Sequence, residues 1–132
     1  MIALGVLWAS PWTAFGLLLG VIGLLLGGKA ARKGRTLVFW GAGLSWVFRH
    51  LPVLTHARAV TFGHVVLARS RRQLEAHWEH EFVHVRQYER WGPLMVPAYL
   101  ACRLALWLRG RHPYLDNPFE KEAFEATGFK QP

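Results

Sequence analysis

The chain has few acidic residues and almost no cysteine. Its 132 residues include 8 Asp and Glu against 16 Lys and Arg, which gives a formal net charge of +8, and the only cysteine is Cys102. A single cysteine excludes an intrachain disulfide and favours a buried structural thiol. The positive charge permits nucleic-acid binding, but the sequence contains no nucleic-acid-binding motif. Attraction to anionic lipid headgroups is therefore the simpler interpretation.

Charged residues are also absent from residues 11–28, and this absence indicates a membrane segment. As a helix, the segment would extend about 27 Å, close to the thickness of the hydrocarbon core. Ser10 and Pro11 fit the N-cap and first positions of such a helix. Residues 1–9 are apolar as well, so a longer helix that passes through Pro11 is the alternative.

Positive charges follow the apolar segment directly, at Lys29, Arg32, Lys33 and Arg35. A cleaved signal peptide would carry them before its apolar run. The pattern therefore predicts an uncleaved transmembrane anchor over residues 1–28, with the N-terminus outside and the rest of the chain in the cytoplasm. Residues 29–35 then form a basic linker.

Four glycines share one face of the predicted anchor, at Gly16, Gly20, Gly23 and Gly27. Small residues at this spacing allow another helix to approach closely, so a homo-oligomer through this face is one interpretation. The other is that glycine is simply common in membrane helices.

Short elements follow the linker. Residues 36–40 favour a strand, and residues 44–50 favour a short helix. Residues 58–69 are rich in Val, Thr and Phe and predict one strand, in which Gly63 marks a bulge or a close approach. If this strand lies at the edge of a sheet, it can bind an extended peptide, although an ordinary sheet strand explains the pattern as well.

The most informative motif is the sequence His80-Glu81-Phe82-Val83-His84. It lies in a predicted helix from about Gln73 to Arg90, which ends before Gly92 and Pro93. The motif places two imidazoles one turn apart on the same face, where they can chelate zinc. The adjacent Glu81 can take the proton of a water molecule that attacks a carbonyl. The spacing therefore predicts metal-assisted hydrolysis, with a peptide bond as the substrate.

Two other polar residues share that face of the helix. His77 could form a rival chelating pair with His80, but it lies about 10.5 Å along the axis from His84, too far for both to bind one ion. We therefore expect His77 to support the site or to face solvent. Gln87 is expected to orient a neighbouring residue by hydrogen bonding.

A third metal ligand is expected downstream, and a predicted helix over residues 118–127 supplies it. Asn117 suits the N-cap, and Gly128 suits the position that stops the helix. Glu120 is at the third position of this helix, where its side chain could accept from the backbone N–H of Asn117 in a capping box, a purely structural role. However, it lies within the apolar arc of the helix, where a carboxylate needs a partner, whereas Glu122 lies at the edge of that arc. We therefore favour Glu120 as the ligand and keep Glu122 as the alternative.

Together these motifs resemble the gluzincin metallopeptidases. The likeness rests on HExxH followed by a helix with the pattern Glu-x-Glu-Ala, and it is greatest for the membrane-embedded branch that contains the CAAX prenyl protease and the bacterial heat-shock membrane protease. The chain also resembles small bacterial membrane proteins, and this resemblance covers roughly residues 59–126. The motifs that carry it are His80-Glu81-x-x-His84-Val85-x-Gln87-Tyr88, Arg90-Trp91-Gly92-Pro93, Pro97-Ala98-Tyr99 and Asn117-Pro118-Phe119-Glu120. The resemblance implies zinc on His80, His84 and Glu120, with Glu81 as general base. It also implies a location in the bacterial inner membrane.

The chain departs from this family at one position. The larger peptidases carry an aspartate four residues after the ligand glutamate, where it supports a metal-bound histidine, and here that position is Phe124. We expect the support to come from elsewhere, with Asp116 as the candidate. His112 and Tyr114 are further catalytic candidates, because either side chain can donate a hydrogen bond to an oxyanion.

The sequence thus predicts an α+β protein with a single transmembrane helix and a small, mainly helical metallopeptidase-like domain over residues 36–132. Residues 97–108 are too short for a second crossing and contain Arg103, so they predict a buried or interfacial helix. The predicted function is a membrane-anchored zinc metalloprotease acting on a peptide or protein. The alternative is a non-catalytic membrane scaffold with a structural zinc site.

Overall fold

The fold combines helices with one small sheet, which confirms the predicted α+β class. The computed structural model describes residues 2–51, 54–55 and 57–127, and the side chains from residue 7 onward. Its elements, in chain order, are α1 (Ile2–Leu25), β1 (Lys29–Lys33), β2 (Thr36–Trp40), α2 (Ala42–His50), β3 (Ala59–Phe62), β4 (Val65–Ala68), α3 (Arg71–Trp91), α4 (Met95–Leu108) and α5 (Pro118–Thr127). The stop predicted at Gly128 lies outside the described residues.

The four strands form one mixed sheet in the order β1-β2-β4-β3. Two antiparallel hairpins, β1–β2 and β3–β4, are joined through parallel pairing of β2 with β4. The basic segment interpreted from the sequence as a linker forms the exposed edge strand β1. The tight turn at Gly34, with φ of 61°, returns the chain into β2 and so creates this hairpin.

The region predicted as one bulged strand is instead the β3–β4 hairpin. Gly63 has a φ of 61° and occupies the first position of a two-residue turn, so the chain reverses there rather than bulging. As a result, the strand that ends at Ala68 lies inside the sheet between β2 and β3, and the free edge beside it belongs to β3. Of the two interpretations of the strand that ends at Ala68, the ordinary sheet strand therefore holds and the edge strand does not.

The N-terminal helix starts earlier than the N-cap signal predicted. α1 begins at Ile2 and runs through Pro11. Because Pro11 has no N–H, the carbonyl of Leu7 loses its usual helical partner, and the Ser10 hydroxyl donates to that carbonyl at 2.7 Å. Ser10 therefore lies within the helix and does not cap it.

The glycine face of α1 packs against the chain's own sheet and α2. A Cβ at Gly16 would lie 2.9 Å from the Cβ atoms of Phe62 and Val65, and a Cβ at Gly20 would lie 2.6 Å from the ring of Phe39. These contacts require a residue without a side chain. The helix predicted as an anchor is therefore also one wall of the folded domain.

Alternation along β4 divides the core into two layers. Val65 and Leu67 face α1 and α2, whereas Val66 and Ala68 face α3. All four residues are fully buried, because helices cover both faces of the strand. The sheet therefore holds α3 in a fixed position on the side opposite α1.

One ionic cluster joins both hairpin turns to α3. Arg35, in the first turn, donates two hydrogen bonds to the carboxylate of Glu89 at 2.6 and 2.8 Å, and His64, in the second turn, contacts the same carboxylate at 2.7 Å. Burial opposes ionisation of Glu89, but its hydrogen bonds with Arg35 and His64 hold the pKa below its ordinary value. The cluster fixes the register of α3 on the sheet.

Within the part of the chain that the structure describes, two helical stretches satisfy the length and composition needed to cross a membrane. One is Leu7–Leu25 within α1, and the other is Arg71–Leu108, which joins α3 to α4 through a short 3₁₀ turn at Gly92–Leu94. The first confirms that the predicted anchor is long and apolar enough. Its insertion and its orientation remain predictions.

Candidate metal centre

Helix α3 brings the three residues of the central motif into one buried group. Ser70 caps this helix by accepting from the backbone N–H of Gln73, so α3 begins close to the predicted start. One ligand atom from each of His80, Glu81 and His84 lies within 4.8 Å of the others, and all three residues are buried. This group can therefore hold a metal ion.

Helix α5 adds a carboxylate to the same group. The side chain of Asn117 accepts from the backbone N–H of Phe119 at 3.1 Å, which confirms the predicted cap and fixes the first turn of the helix. Glu120 then projects inward, and its Oε1 lies 2.8 Å from Nε2 of His80 and 2.9 Å from Nε2 of His84. Its carboxylate is thus directed at the two histidines, as its place in the apolar arc indicated.

Glu120 and His84 each shift the pKa of the other. Burial opposes ionisation of Glu120, but the charge of His84 and the hydrogen bonds from His80, His84 and Tyr99 hold the pKa of its carboxyl far below the ordinary value. Burial also opposes protonation of His84, yet the charge and hydrogen bond of Glu120 raise the pKa of its imidazole to about 9. In this arrangement His84 is therefore protonated at neutral pH and forms an ion pair with Glu120.

Glu81 lies beside the two histidines but has a partner of its own. The hydroxyl of Thr61, on strand β3, lies 3.1 Å from Oε1 of Glu81 and 3.2 Å from its backbone carbonyl. The Tyr88 hydroxyl in turn donates to the Thr61 carbonyl at 3.1 Å. Burial raises the pKa of the Glu81 carboxyl, and the nearby histidines oppose this increase. Glu81 is thus a buried carboxyl held from the sheet side.

Gln87 supplies the support for a histidine that we expected from Asp116. Its side-chain carbonyl accepts from Nδ1 of His84 at 2.7 Å, which directs Nε2 of that ring toward Glu120. Its amide nitrogen donates to the Phe119 carbonyl at 2.9 Å and to Glu122 at 2.8 Å. The expectation that Gln87 orients a neighbour agrees with these contacts, and Gln87 also joins α3 to α5.

Phe124 stands where the larger peptidases carry the supporting aspartate, and Asp116 was the candidate to replace it. The ring of Phe124 packs against the His80 imidazole, with centroids 4.8 Å apart. Asp116, the candidate substitute, accepts from the backbone N–H of His112 at 2.9 Å and thus stabilises the turn before α5. The hydrogen bond that orients a histidine of the site therefore comes from Gln87, which lies on α3 together with His84.

Tyr99 is a site residue that sequence reasoning missed. It lies on α4, and its hydroxyl donates to Oε2 of Glu120 at 2.6 Å. Asn117 donates to the Tyr99 carbonyl at 3.3 Å, so α4 and α5 meet at this residue. The only sequence signal for Tyr99 was its single hydroxyl within an apolar run, and for this reason it was not identified.

His77 and Glu122, the two alternative metal ligands, lie apart from the contacts between Glu120 and the two histidines. His77 is half-buried one turn before His80 and is not part of the three-residue group found among the described residues. Glu122 is about half exposed, and its Oε1 accepts from both Gln87 and Arg90. Glu122 thus lies on the outer side of the α3–α5 contact, where it is paired with a surface arginine.

The two predicted oxyanion donors differ in position. Nδ1 of His112 accepts from the backbone N–H groups of Tyr114 and Leu115, so this ring stabilises its own turn. The Tyr114 ring packs edge-on against Phe124. Partial burial and the charges of Glu120 and Glu81 raise the pKa of Tyr114, so its hydroxyl remains a donor at neutral pH. Of the two, Tyr114 is the one whose pKa is influenced by the charges of Glu120 and Glu81.

No family model, curated protein or solved structure matches this chain. The likeness to the gluzincins therefore rests on the motif residues alone.

Proposed function

We propose that this chain is a membrane-associated zinc metallopeptidase whose metal ligands are His80, His84 and Glu120. The observation that carries the proposal is the buried contact of one Glu120 oxygen with Nε2 of both histidines, at 2.8 and 2.9 Å. Two imidazoles with one carboxylate are a donor set typical of catalytic zinc. The resemblance to the gluzincins supports the same assignment.

The spacing of the donor atoms is compatible with a zinc ion. Metal–ligand bonds of about 2.0–2.1 Å place tetrahedral ligand atoms roughly 3.3–3.4 Å apart, so the group would need to open by about half an ångström. The negative charge of Glu120 and the hydrogen bond from Gln87 to His84 favour a cation at this position. When bound, zinc would supply a Lewis acid that polarises a carbonyl and acidifies water.

Glu81 is assigned as the general base. Thr61 occupies its Oε1, which leaves Oε2 to accept the proton of an attacking water molecule. Because burial raises its pKa, the protonated carboxyl can afterwards return that proton to the leaving amine. Tyr114 is assigned as the donor that stabilises the oxyanion, and His112 remains the weaker candidate because its Nδ1 already accepts backbone hydrogen bonds.

The proposal is tested by replacing Glu81→Gln. The amide retains the size of the side chain but cannot accept the proton, so zinc content should remain near that of wild type while hydrolysis of labelled casein is lost. Glu79→Gln is the matched control, because Glu79 is an exposed glutamate on the same helix and should leave both properties unchanged. Cleavage at the wild-type rate by the Glu81 variant would contradict the mechanism.

A structural zinc site in a membrane scaffold is the second candidate function. Phe124 favours it, because this residue stands where the larger peptidases that the motifs resemble carry an aspartate, and the Glu120 contacts already join α3 to α5. In this case wild-type protein would contain zinc and cleave nothing, and zinc removal would lower the melting temperature. The presence of Glu81 favours the enzyme, because a structural site has no need of a base.

The orientation in the membrane is also proposed. Lys29, Arg32, Lys33 and Arg35 follow α1 directly, and such an excess of positive charge is retained in the cytoplasm. A reporter enzyme fused after residue 132 should therefore be active in the cytoplasm. Activity of the reporter on the opposite side of the membrane would reverse the assignment.

A further inference from the structure

Helix α4 has an apolar surface that the domain does not cover. Met95, at its start, is its only fully buried residue in the described structure. Leu104, Trp107 and Leu108 are exposed by 56%, 66% and 69%. None of residues 103–108 is buried by the described part of the chain. The second half of α4 thus extends away from the domain.

The composition of α4 is incompatible with an ordinary surface helix. A surface helix has one apolar stripe and one polar face, whereas α4 is apolar on all sides and its only charged residue is Arg103. Helices of this kind are normally buried in a protein core or in lipid. Because the described domain does not bury it, something outside the domain must.

The start of α4 lies beside α1, the candidate membrane helix. The indole N–H of Trp12 donates to the carbonyl of Pro93 at 3.1 Å, and Ala9 packs in one cluster with Met95. The outer side of α1 is also apolar and exposed, at Leu18 and Val21 among others. The same apolar environment can therefore cover the outer side of α1 and the surface of α4.

The charges around α4 favour lipid over a second copy of the chain. Residues 91–115 contain Arg103, Arg109 and Arg111 and no aspartate or glutamate. Two copies that packed through α4 would bring these arginines together, whereas anionic headgroups would pair with them. Long arginine side chains also reach the headgroups from a helix that lies slightly deeper in the membrane.

We propose that α4 lies in the boundary between headgroups and hydrocarbon of an anionic bilayer, beside α1. Its 14 residues alone extend about 21 Å, less than a hydrocarbon core of about 30 Å. The longer stretch that includes α3 carries charged residues such as Arg86, Glu89 and Arg90, which oppose its insertion. An interfacial position accounts for both the apolar surface and the arginines at its end. This inference concerns membrane contact alone and does not depend on the proposed peptidase activity.

The membrane contact would also bring the candidate metal centre close to the lipid. Tyr99, in the first half of α4, donates to Glu120, and Glu120 contacts both histidines. The helix that binds lipid therefore holds the carboxylate of the site. As a result, the site lies next to the membrane surface.

The test uses spin labels on the full chain. With Cys102→Ser to remove the native thiol, a nitroxide is attached through Leu104→Cys, and the purified protein is reconstituted into vesicles of phosphatidylcholine and phosphatidylglycerol in equal parts. Glu75→Cys on α3 is the matched control, because its side chain is exposed and lies on a polar helix face. We expect oxygen to reach the label at 104 more readily than a water-soluble nickel chelate does, and the reverse at 75.

Two results would overturn the inference. One is a label at 104 with the same aqueous accessibility as the label at 75. The other is dipolar broadening at 104 that disappears when the protein is diluted with unlabelled chain, since a second copy would then cover α4. Trp107→Cys provides an independent position if the first variant does not fold, and circular dichroism of each variant verifies the helical fold.

Discussion

The two sides of α3 are built differently. The side toward the sheet carries Leu74 and Val85, which pack against apolar strand residues. The side toward α5 carries His80, His84 and Gln87, which are equally buried but are joined by hydrogen bonds. The apolar side positions the helix, and the polar side is left for chemistry. Each side should therefore respond to substitution in its own way.

The largest effect on folding is expected from the apolar side. Leu74→Ala removes a buried side chain that packs with Val66 and Ala68, so the free energy of unfolding should fall by about 2–5 kcal/mol. Zinc affinity of the folded protein should change little. Chemical unfolding in detergent measures the first quantity, and Leu104→Ala on exposed α4 is the control, with a change within about 0.5 kcal/mol. Equal stability of the two variants would contradict the division between the sides.

The largest effect on metal binding is expected from the polar side. Glu120→Gln removes the carboxylate that contacts both histidines, and zinc affinity should fall by at least about 10- to 100-fold, the loss seen even for supporting residues. Glu122→Gln should leave the affinity nearly unchanged, because Glu122 is partly exposed and paired with Arg90. Competition with a chelator of known affinity measures both. If Glu122→Gln removes the metal while Glu120→Gln only lowers the melting temperature, the ligand set becomes His80, His84 and Glu122.

A smaller effect is expected at Gln87. Gln87→Ala removes the acceptor that orients the His84 ring, so zinc affinity should fall by about 10-fold. Gln73→Ala, in the first turn of the same helix, is the matched control and should bind zinc as the wild type does. The same competition assay applies. An unchanged affinity in the Gln87 variant would mean that the ring is oriented by its contact with Glu120 alone.

The sequence predicted the local part of the site. Periodicity and the stop at Gly92-Pro93 located α3, and the Asn117 cap located α5, each within two residues of its ends. These signals act on backbone groups that lie only a few residues away. The inward direction of Glu120 followed from its place in the apolar arc. These features depend on short stretches of chain and can therefore be read directly from it.

The parts that were missed depend on distant partners. The segment from Lys29 to Lys33 has little strand propensity and becomes a strand only because β2 pairs with it. Tyr99 and Thr61 join the site through contacts that span twenty or twenty-one residues. The turn at Gly63 lacks the Asn-Gly or Asp-Gly signature of tight hairpins, so its single glycine was read as a bulge.

The glycine contacts of α1 also have a consequence for biosynthesis. α1 leaves the ribosome before the sheet, but Gly16 packs against Phe62 and Val65, which are made more than forty residues later. Until then the part of the glycine side around Gly16 has no partner, although Phe39, which packs at Gly20, is made earlier. Whatever shelters it in this interval must release that side once the β3–β4 hairpin forms, while the outer side remains covered. The packing of α1 around Gly16 therefore has to wait for the synthesis of this hairpin.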